Sequence, residues 1–221
     1  MSTPTIGFKQ QLFSQFARVG KALSNANRLE LLEFLAQGER SVEALAKVAG
    51  LSVANASQHL QQLRQAGLVS SRKQGLKVFY RVSGDDVVDL FKALRNVAQR
   101  HLAEVNQLLD NYLTIKDSLE PLPREELLKR VRDDLVTVID VRPPVEYAAG
   151  HLPGALNIQL DELEQRLQEL DPAQEIVAYC RGPHCVLAFD AVSRLREKGR
   201  KAHRLEDGYP EWKAAGLPVE E

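Results

Sequence analysis

A single change of pattern near residues 114–124 constrains this 221-residue chain more than any other feature. Ahead of it, apolar residues recur at helical spacing. Within Lys116-Asp117-Ser118-Leu119-Glu120-Pro121-Leu122-Pro123 that periodicity is lost, and two prolines bias the residues before them away from helix. Beyond it, short apolar strands alternate with helices. The length suits two compact units. The expected architecture is a mainly α domain over 1–115, a linker at 116–124, and an α/β domain with a central, largely parallel sheet over 125–221.

The formal net charge of −1 conceals a second division at the same place. Residues 1–115 carry 14 Lys and Arg against 9 Asp and Glu, whereas residues 116–221 carry 15 against 21. The excess is densest over 41–82, where Lys47, Arg64, Arg72, Lys73, Lys77 and Arg81 stand against Glu43 alone. Such asymmetry suggests a polyanion partner for the basic half, with an ordinary solvated face as the alternative. A chain that is 44% hydrophobic and 27% charged is neither disordered nor collagen-like. No apolar run approaches the roughly 18–20 residues that cross a bilayer, and the start MSTPTIGFKQ has no signal-peptide core. Two cysteines, Cys180 and Cys185, make no disulfide framework. A cytoplasmic location without a membrane partner is expected.

The basic half reads as helices followed by a hairpin. Phe8, Leu12, Phe13, Phe16 and Val19 share helical spacing. Asn25 is positioned to cap a helix carrying Leu29, Leu31, Leu32, Phe34 and Leu35. Ser41 caps a short helix to Val48, Gly50-Leu51-Ser52 interrupts, and a second helix runs from Val53 to Ala66. Two β-like stretches, Leu68–Arg72 and Lys77–Val82, follow, then a long helix from Asp85 to Tyr112. A short helix, a Gly-containing turn and a second helix make a helix-turn-helix, whose second helix reads base edges in the major groove. That helix offers Ser52, Asn55, Ser57, Gln58, His59 and Arg64. Asn and Gln can each make two hydrogen bonds to adenine. Arg72, Lys73 and Lys77 sit near the hairpin tip, placed to grip phosphates.

The run LSVANASQHLQQLRQAGLVSSRKQGLKVFYRVS resembles the recognition helix and wing of the ArsR family of winged helix-turn-helix regulators, over residues 8–113. The resemblance implies a homodimer built from the first and last helices, bound to an inverted-repeat operator in double-stranded DNA, with repression as the expected output. Protein contacts alone are the alternative use of such a fold. Many ArsR proteins sense metals through cysteines in the helix before the recognition helix. Here that helix reads Ser41-Val42-Glu43-Ala44-Leu45-Ala46-Lys47, without a thiol. His101 and Glu104 fall short of a metal ligand set, so neither a metal nor another cofactor is expected.

In the acidic half, strands at Leu135–Asp140, Ile176–Tyr179 and Ala202–Leu205 alternate with helices at Asp161–Leu170, Val186–Lys198 and Pro210–Ala215. Cys180 falls where a strand ends and the loop Arg181-Gly182-Pro183-His184 leads into a helix. The carboxyl end of a strand is where α/β folds place their sites, and a helix N-terminus favours thiolate. A buried structural cysteine is the alternative. VIDVRPPVEYAAGHLPGALNI, VAYCRGPHC and LEDGYPEWKAAGLPV together resemble the rhodanese family across 122–219. The resemblance implies that Cys180 is a nucleophile that holds sulfane sulfur as a persulfide, taken from a small donor such as thiosulfate or another persulfide. It further implies a loop including Gly182 and His184 that cradles the sulfur, an Arg181 that steers anions, and bracing by Asp140 and Arg142. The loop departs from the family pattern: Gly182 and Pro183 stand where a variable residue and Gly are usual, and Pro183 lacks an N–H. Related phosphatases and arsenate reductases have a loop one residue longer. Cys185 is either a resolving thiol, which could close on Cys180 as a disulfide or bridge a sulfur inserted between the two, or a small residue in the first helical turn.

These readings together give a DNA-binding regulator that senses reactive sulfur or thiol oxidants through Cys180. The alternative is an active sulfurtransferase that uses the winged helix for dimerisation or DNA tethering. A third possibility is a second domain that only recruits a partner.

Overall fold

The computed structural model describes residues 4–111 and 121–221. Its internal contacts divide the chain at Val87/Val88 into two compact units.

In the first unit, α1 (Pro4–Leu23) and α2 (Ala26–Ala36) precede a two-residue strand β1 (Arg40–Ser41). α3 (Val42–Val48), α4 (Val53–Gln65) and the hairpin β2 (Val69–Gln74) and β3 (Lys77–Val82) complete it. The expected caps form: the Asn25 side chain accepts from the Arg28 N–H at 3.2 Å, and Ser41 Oγ accepts from the Ala44 N–H at 3.3 Å. At the hairpin tip Gly75 has φ 60°, a conformation that costs glycine little. The strands form an antiparallel sheet in the order β1-β3-β2. β1 escapes pattern reading because it is only two residues long, paired with Tyr80 and Phe79. Leu31, Leu32, Leu35, Leu45, Ala56, Leu60, Leu63, Leu68 and Tyr80 fill the core. Phe8, Phe13 and Phe16 on α1 are more than half exposed, at 67%, 56% and 57%.

The second unit begins inside α5 (Asp85–His101), which is followed by α6 (Ala103–Leu109). The long helix expected over Asp85–Tyr112 is therefore interrupted: Leu102 takes φ −108° and ψ 107°, outside the helical region. His101 and Glu104 consequently lie on two different helices. Tyr112 and most of the expected linker, 116–120, lie outside the described residues. α7 (Arg124–Arg132) was not legible, since six of its nine residues are charged and Leu127 is its one fully buried side chain.

Strands β4 (Val136–Asp140), β5 (Leu156–Asn157), β6 (Glu175–Tyr179) and β7 (Ala202–Arg204) form a parallel sheet in the order β5-β4-β6-β7. Both faces are covered. Ile139, Ile176 and Ala178 pack on one side against α10 (Val186–Glu197). Val136, Val138, Val177 and Tyr179 pack on the other with Leu127 of α7 and Trp212 of α11 (Tyr209–Ala214). Alternation at period two puts neighbouring residues on opposite faces. A single turn, α8 (Pro144–Tyr147), follows β4. The helix expected over Asp161–Leu170 is shorter, α9 (Leu163–Arg166) with a 3-10 turn at Leu167–Glu169. The tighter turn carries the chain from Leu167 to the buried Leu170, three residues apart.

Candidate functional site

Two regions hold the residues singled out by sequence. In the first unit the turn between α3 and α4 ends at Ser52, whose hydroxyl accepts from the Asn55 N–H at 3.2 Å. Ser52 thus acts as the N-cap of α4. Ala56, Leu60 and Leu63 turn inward, and Asn55 and Gln58 face solvent. Ser57 and His59 are half-buried. His59 Nδ1 is buried and makes no hydrogen bond among the described residues, which sets it apart from the open Asn55 and Gln58. Arg64 donates to Ser71 Oγ at 3.2 Å. Arg72 is held by Glu39 and lies over the Phe79 ring, 4.9 Å from its centroid. Lys73 and Lys77 are exposed on the two arms of the hairpin, one residue out of direct pairing.

The second region is the loop between β6 and α10. Cys180 ends the strand run, 1% exposed, among Val141, Ile158, Ala178 and Ala188. Cys185 is the N-cap of α10 and is half-buried. The two sulfurs are joined in a disulfide, with the α-carbons 6.1 Å apart, inside the span such a bond requires. The sequence left this pairing open. Of the loop's amides, Cys185 N–H donates to the Gly182 carbonyl at 3.1 Å, and Pro183 has none to offer.

Arg181 turns to Glu146, with Nη2···Oε1 at 2.7 Å and Nε within 3.1 Å of both carboxylate oxygens. The Glu146 carboxylate is fully buried. Asp140 and Arg142 are also fully buried and pair with each other at 2.6 Å. Arg142 further donates to the Gly150 carbonyl at 2.7 Å, and Tyr179 Oη donates to Asp140. Burial works to lower the Arg142 pKa, but the bonds to Asp140 outweigh it and the guanidinium titrates above the ordinary arginine value. Burial, with the Asp140 charge beside it, pushes the Tyr179 phenol far up. Asp140 and Arg142 are thus bonded to each other, to Tyr179 and to the Gly150 carbonyl. They brace the end of β4 and the α8–Gly150 turn.

The other side of the loop is closed by Gly208, which lies in the rhodanese-like stretch LEDGYPEWKAAGLPV, and by Arg95, Arg204 and Glu211, which sequence reading did not single out. Gly208 packs on the Arg181–Gly182 peptide, and the Tyr209 N–H donates to the Cys180 carbonyl at 3.1 Å. Glu211 accepts from the Gly208 N–H at 3.1 Å and from Arg95 at 2.7 Å. Arg204 stacks over Phe189, 4.1 Å from the ring centroid, and donates to the Pro183 carbonyl at 3.2 Å. Burial, then the charges of Arg95 and Arg204, lower the His184 imidazole to about 4, so it is neutral near neutral pH. Glu146 and Glu211 lie inside the rhodanese-like stretches, but only the fold pairs them with Arg181 and Arg95, and no motif marks Arg95 or Arg204.

Comparison with known proteins places both regions. Residues 25–71 match the family described as bacterial regulatory protein, arsR family, and residues 123–215 match the rhodanese-like domain. The chain is 49% identical over 213 residues to the HTH-type transcriptional regulator Rv0324 of Mycobacterium tuberculosis, covering 96% of this chain and 93% of that protein. Among solved structures, it is similar to the homodimeric winged helix-turn-helix DNA-binding domain of a possible ArsR-family regulator from Mycobacterium bovis. That match has 49% identity and a TM-score of 0.41, covering 42% of this chain and 87% of that one. It is also similar to a rhodanese-related protein from Thermoplasma volcanium, with 25% identity and a TM-score of 0.41, covering 46% of this chain and 98% of that one.

Proposed function

This chain belongs to the ArsR family of bacterial DNA-binding transcriptional regulators and carries a rhodanese-like domain at its C-terminal end, and from that we propose that it reads cellular sulfur as a dimeric repressor. The DNA-binding and dimerising part is assigned to 1–115 and the sensor to 125–221. Cys180 takes sulfane sulfur or another thiol oxidant, Cys185 closes on it, and the operator is released. The observation that carries the reading is the Cys180–Cys185 bond across a loop at the carboxyl end of a central strand. A loop with a thiol and a disulfide state provides the two-state element that regulation requires.

The exposed aromatic residues of α1 support the dimer, because Phe8, Phe13 and Phe16 form an apolar stripe that a monomer would leave in water. The exposed Asn55 and Gln58 on α4, with Lys73 and Lys77 on the hairpin, support an inverted-repeat operator in double-stranded DNA as partner. A cytoplasmic location fits this role. Among the described residues, no helix is long and apolar enough to cross a membrane.

The test begins with DNA fragments retained by the reduced protein, from which the operator is identified. Operator affinity is then measured with and without a sulfane donor. The expected change is about 5–150-fold, the usual range of allosteric coupling, and it disappears in Cys180→Ser. Ordinary enzymatic turnover of thiosulfate and cyanide, with operator affinity indifferent to donors, would instead identify a working sulfurtransferase.

A further inference from the structure

We propose that this loop takes sulfur from persulfides, R–S–SH, in preference to thiosulfate, and discharges it as hydrogen sulfide when Cys185 closes on Cys180. The proposal rests on the reading of Cys180 as the nucleophile and adds the donor class and the product.

The charges around the loop carry the first half. Sulfur transfer from thiosulfate expels sulfite, a dianion that needs a cation at the moment of departure. Transfer from a persulfide expels a thiolate that picks up a proton and leaves as a neutral thiol. The guanidinium groups beside the loop are already engaged. Arg181 is spread over both oxygens of Glu146, and the Glu146 carboxylate is fully buried. Arg95 is bonded at 2.7 Å to Glu211, whose side chain is 4% exposed. Arg204 donates to the carbonyls of Pro183 and Leu205, each at 3.2 Å. Turning Arg181 towards a dianion would break three short contacts to a buried carboxylate, which is costly.

The pairing of the cysteines carries the second half. The Cys180 thiolate attacks the outer sulfur of R–S–SH. A bond forms from Cys180 Sγ to that sulfur, the donor S–S bond breaks, and R–S⁻ leaves and is protonated. The Cys185 thiolate then attacks Cys180 Sγ. The Sγ–Sγ bond forms, the bond to the outer sulfur breaks, and HS⁻ departs. Two cysteine thiols lose two electrons in total, and the sulfane sulfur gains them. The end state is the disulfide present here, with the α-carbons 6.1 Å apart.

The test mixes the reduced full-length protein with glutathione persulfide or with thiosulfate, and follows intact mass and released sulfide. The persulfide is expected to yield one sulfide for each Cys180–Cys185 bond formed. Thiosulfate is expected to react roughly a hundredfold more slowly, in keeping with the loss of one charge-stabilising group at a transition state. Cys185→Ser should stop at a Cys180 adduct heavier by one sulfur, with no sulfide from that step. Glu146→Gln, which removes the charge that holds Arg181, should narrow the gap between the donors. Because the donor comparison uses the parent protein, it stands even if Glu146→Gln does not fold. Comparable rates for the two donors, or sulfide release that survives Cys185→Ser, would overturn this inference while leaving Cys180 as the reacting thiol. If neither donor nor any thiol oxidant marks Cys180, the sensor reading falls and this inference falls with it.

Discussion

Gly208 lies so close to Gly182 that a β-carbon at 208 would stand 2.3 Å from the Gly182 backbone nitrogen. It would also lie 2.4 Å from the Arg181 carbonyl carbon. Both neighbours are backbone, which cannot rotate aside, and Gly208 has φ −101°, so the demand for glycine here is one of space alone. Gly208→Ala must push the cysteine loop away from the start of α11. Such overpacking costs about 1–3 kcal/mol. A lower melting temperature is expected, together with slower labelling of the reduced Cys180 by an alkylating reagent. Unchanged values of both would mean that the loop is not held by this contact.

The His184 imidazole gives the fold a pH dependence with a definite sign. In the folded protein its pKa lies near 4, below the ordinary value of 6.5, because burial and the Arg95 and Arg204 charges disfavour the proton. The unfolded chain therefore binds this proton first as pH falls, and stability declines between about 6.5 and 4. Above that window both states hold a neutral ring and the group contributes no slope. His184→Gln is expected to make the decline shallower within the window and to leave the curve above it parallel to the parent's. His203, also lowered mainly by burial, keeps a residual slope in the variant. Denaturant midpoints collected across pH would reveal either pattern, and parallel curves throughout would refute the assignment.

The framework of this fold was legible because its signals are local. Asn25 and Ser41 cap the helices they precede, and the parallel sheet follows from apolar strands spaced by helices. Cys180 was legible for a similar reason, since the end of an apolar strand and the start of a helix lie within six residues. What could not be read was set by long-range pairing. Glu146 and Arg181 are 35 residues apart in the chain, and Arg95 and Glu211 are 116 apart. The break at Leu102 also escaped, because apolar spacing continues across it and neither Gly nor Pro marks the place. α7 escaped because so few of its side chains reach the core.

The stripe on α1 leads to a prediction about assembly. Phe16 is 57% exposed and meets Phe13 edge-on, with ring centroids 5.7 Å apart, on a helix face that the first unit leaves uncovered. Phe16→Glu should leave the monomer's stability within about 0.5 kcal/mol, as expected of a surface change. It should nevertheless shift sedimentation from dimer to monomer and abolish binding to a two-half-site operator. A dimer that persists at unchanged concentration dependence would move the interface elsewhere.

Gln58 and Lys73 separate reading from gripping on the DNA side. Gln58 is exposed one turn into α4, on the face opposite the buried Ala56, Leu60 and Leu63, where an amide can meet a base edge. Lys73 is exposed on β2 towards the hairpin tip, whereas the neighbouring Arg72 is committed to Glu39. Gln58→Ala is expected to cost about 1–3 kcal/mol on the operator and little on random duplex. Lys73→Ala should weaken both duplexes alike and lower the slope of log affinity against log salt by about 0.9, the share of one phosphate contact. Arg72→Ala, by contrast, should change that slope less than Lys73→Ala, because its charge is already balanced within the protein. Titrations of both duplexes at several salt concentrations decide the matter. Equal losses on the two duplexes for Gln58→Ala would remove it from base reading, and a larger slope change for Arg72 than for Lys73 would show that the wing gives up its own ion pair to hold DNA.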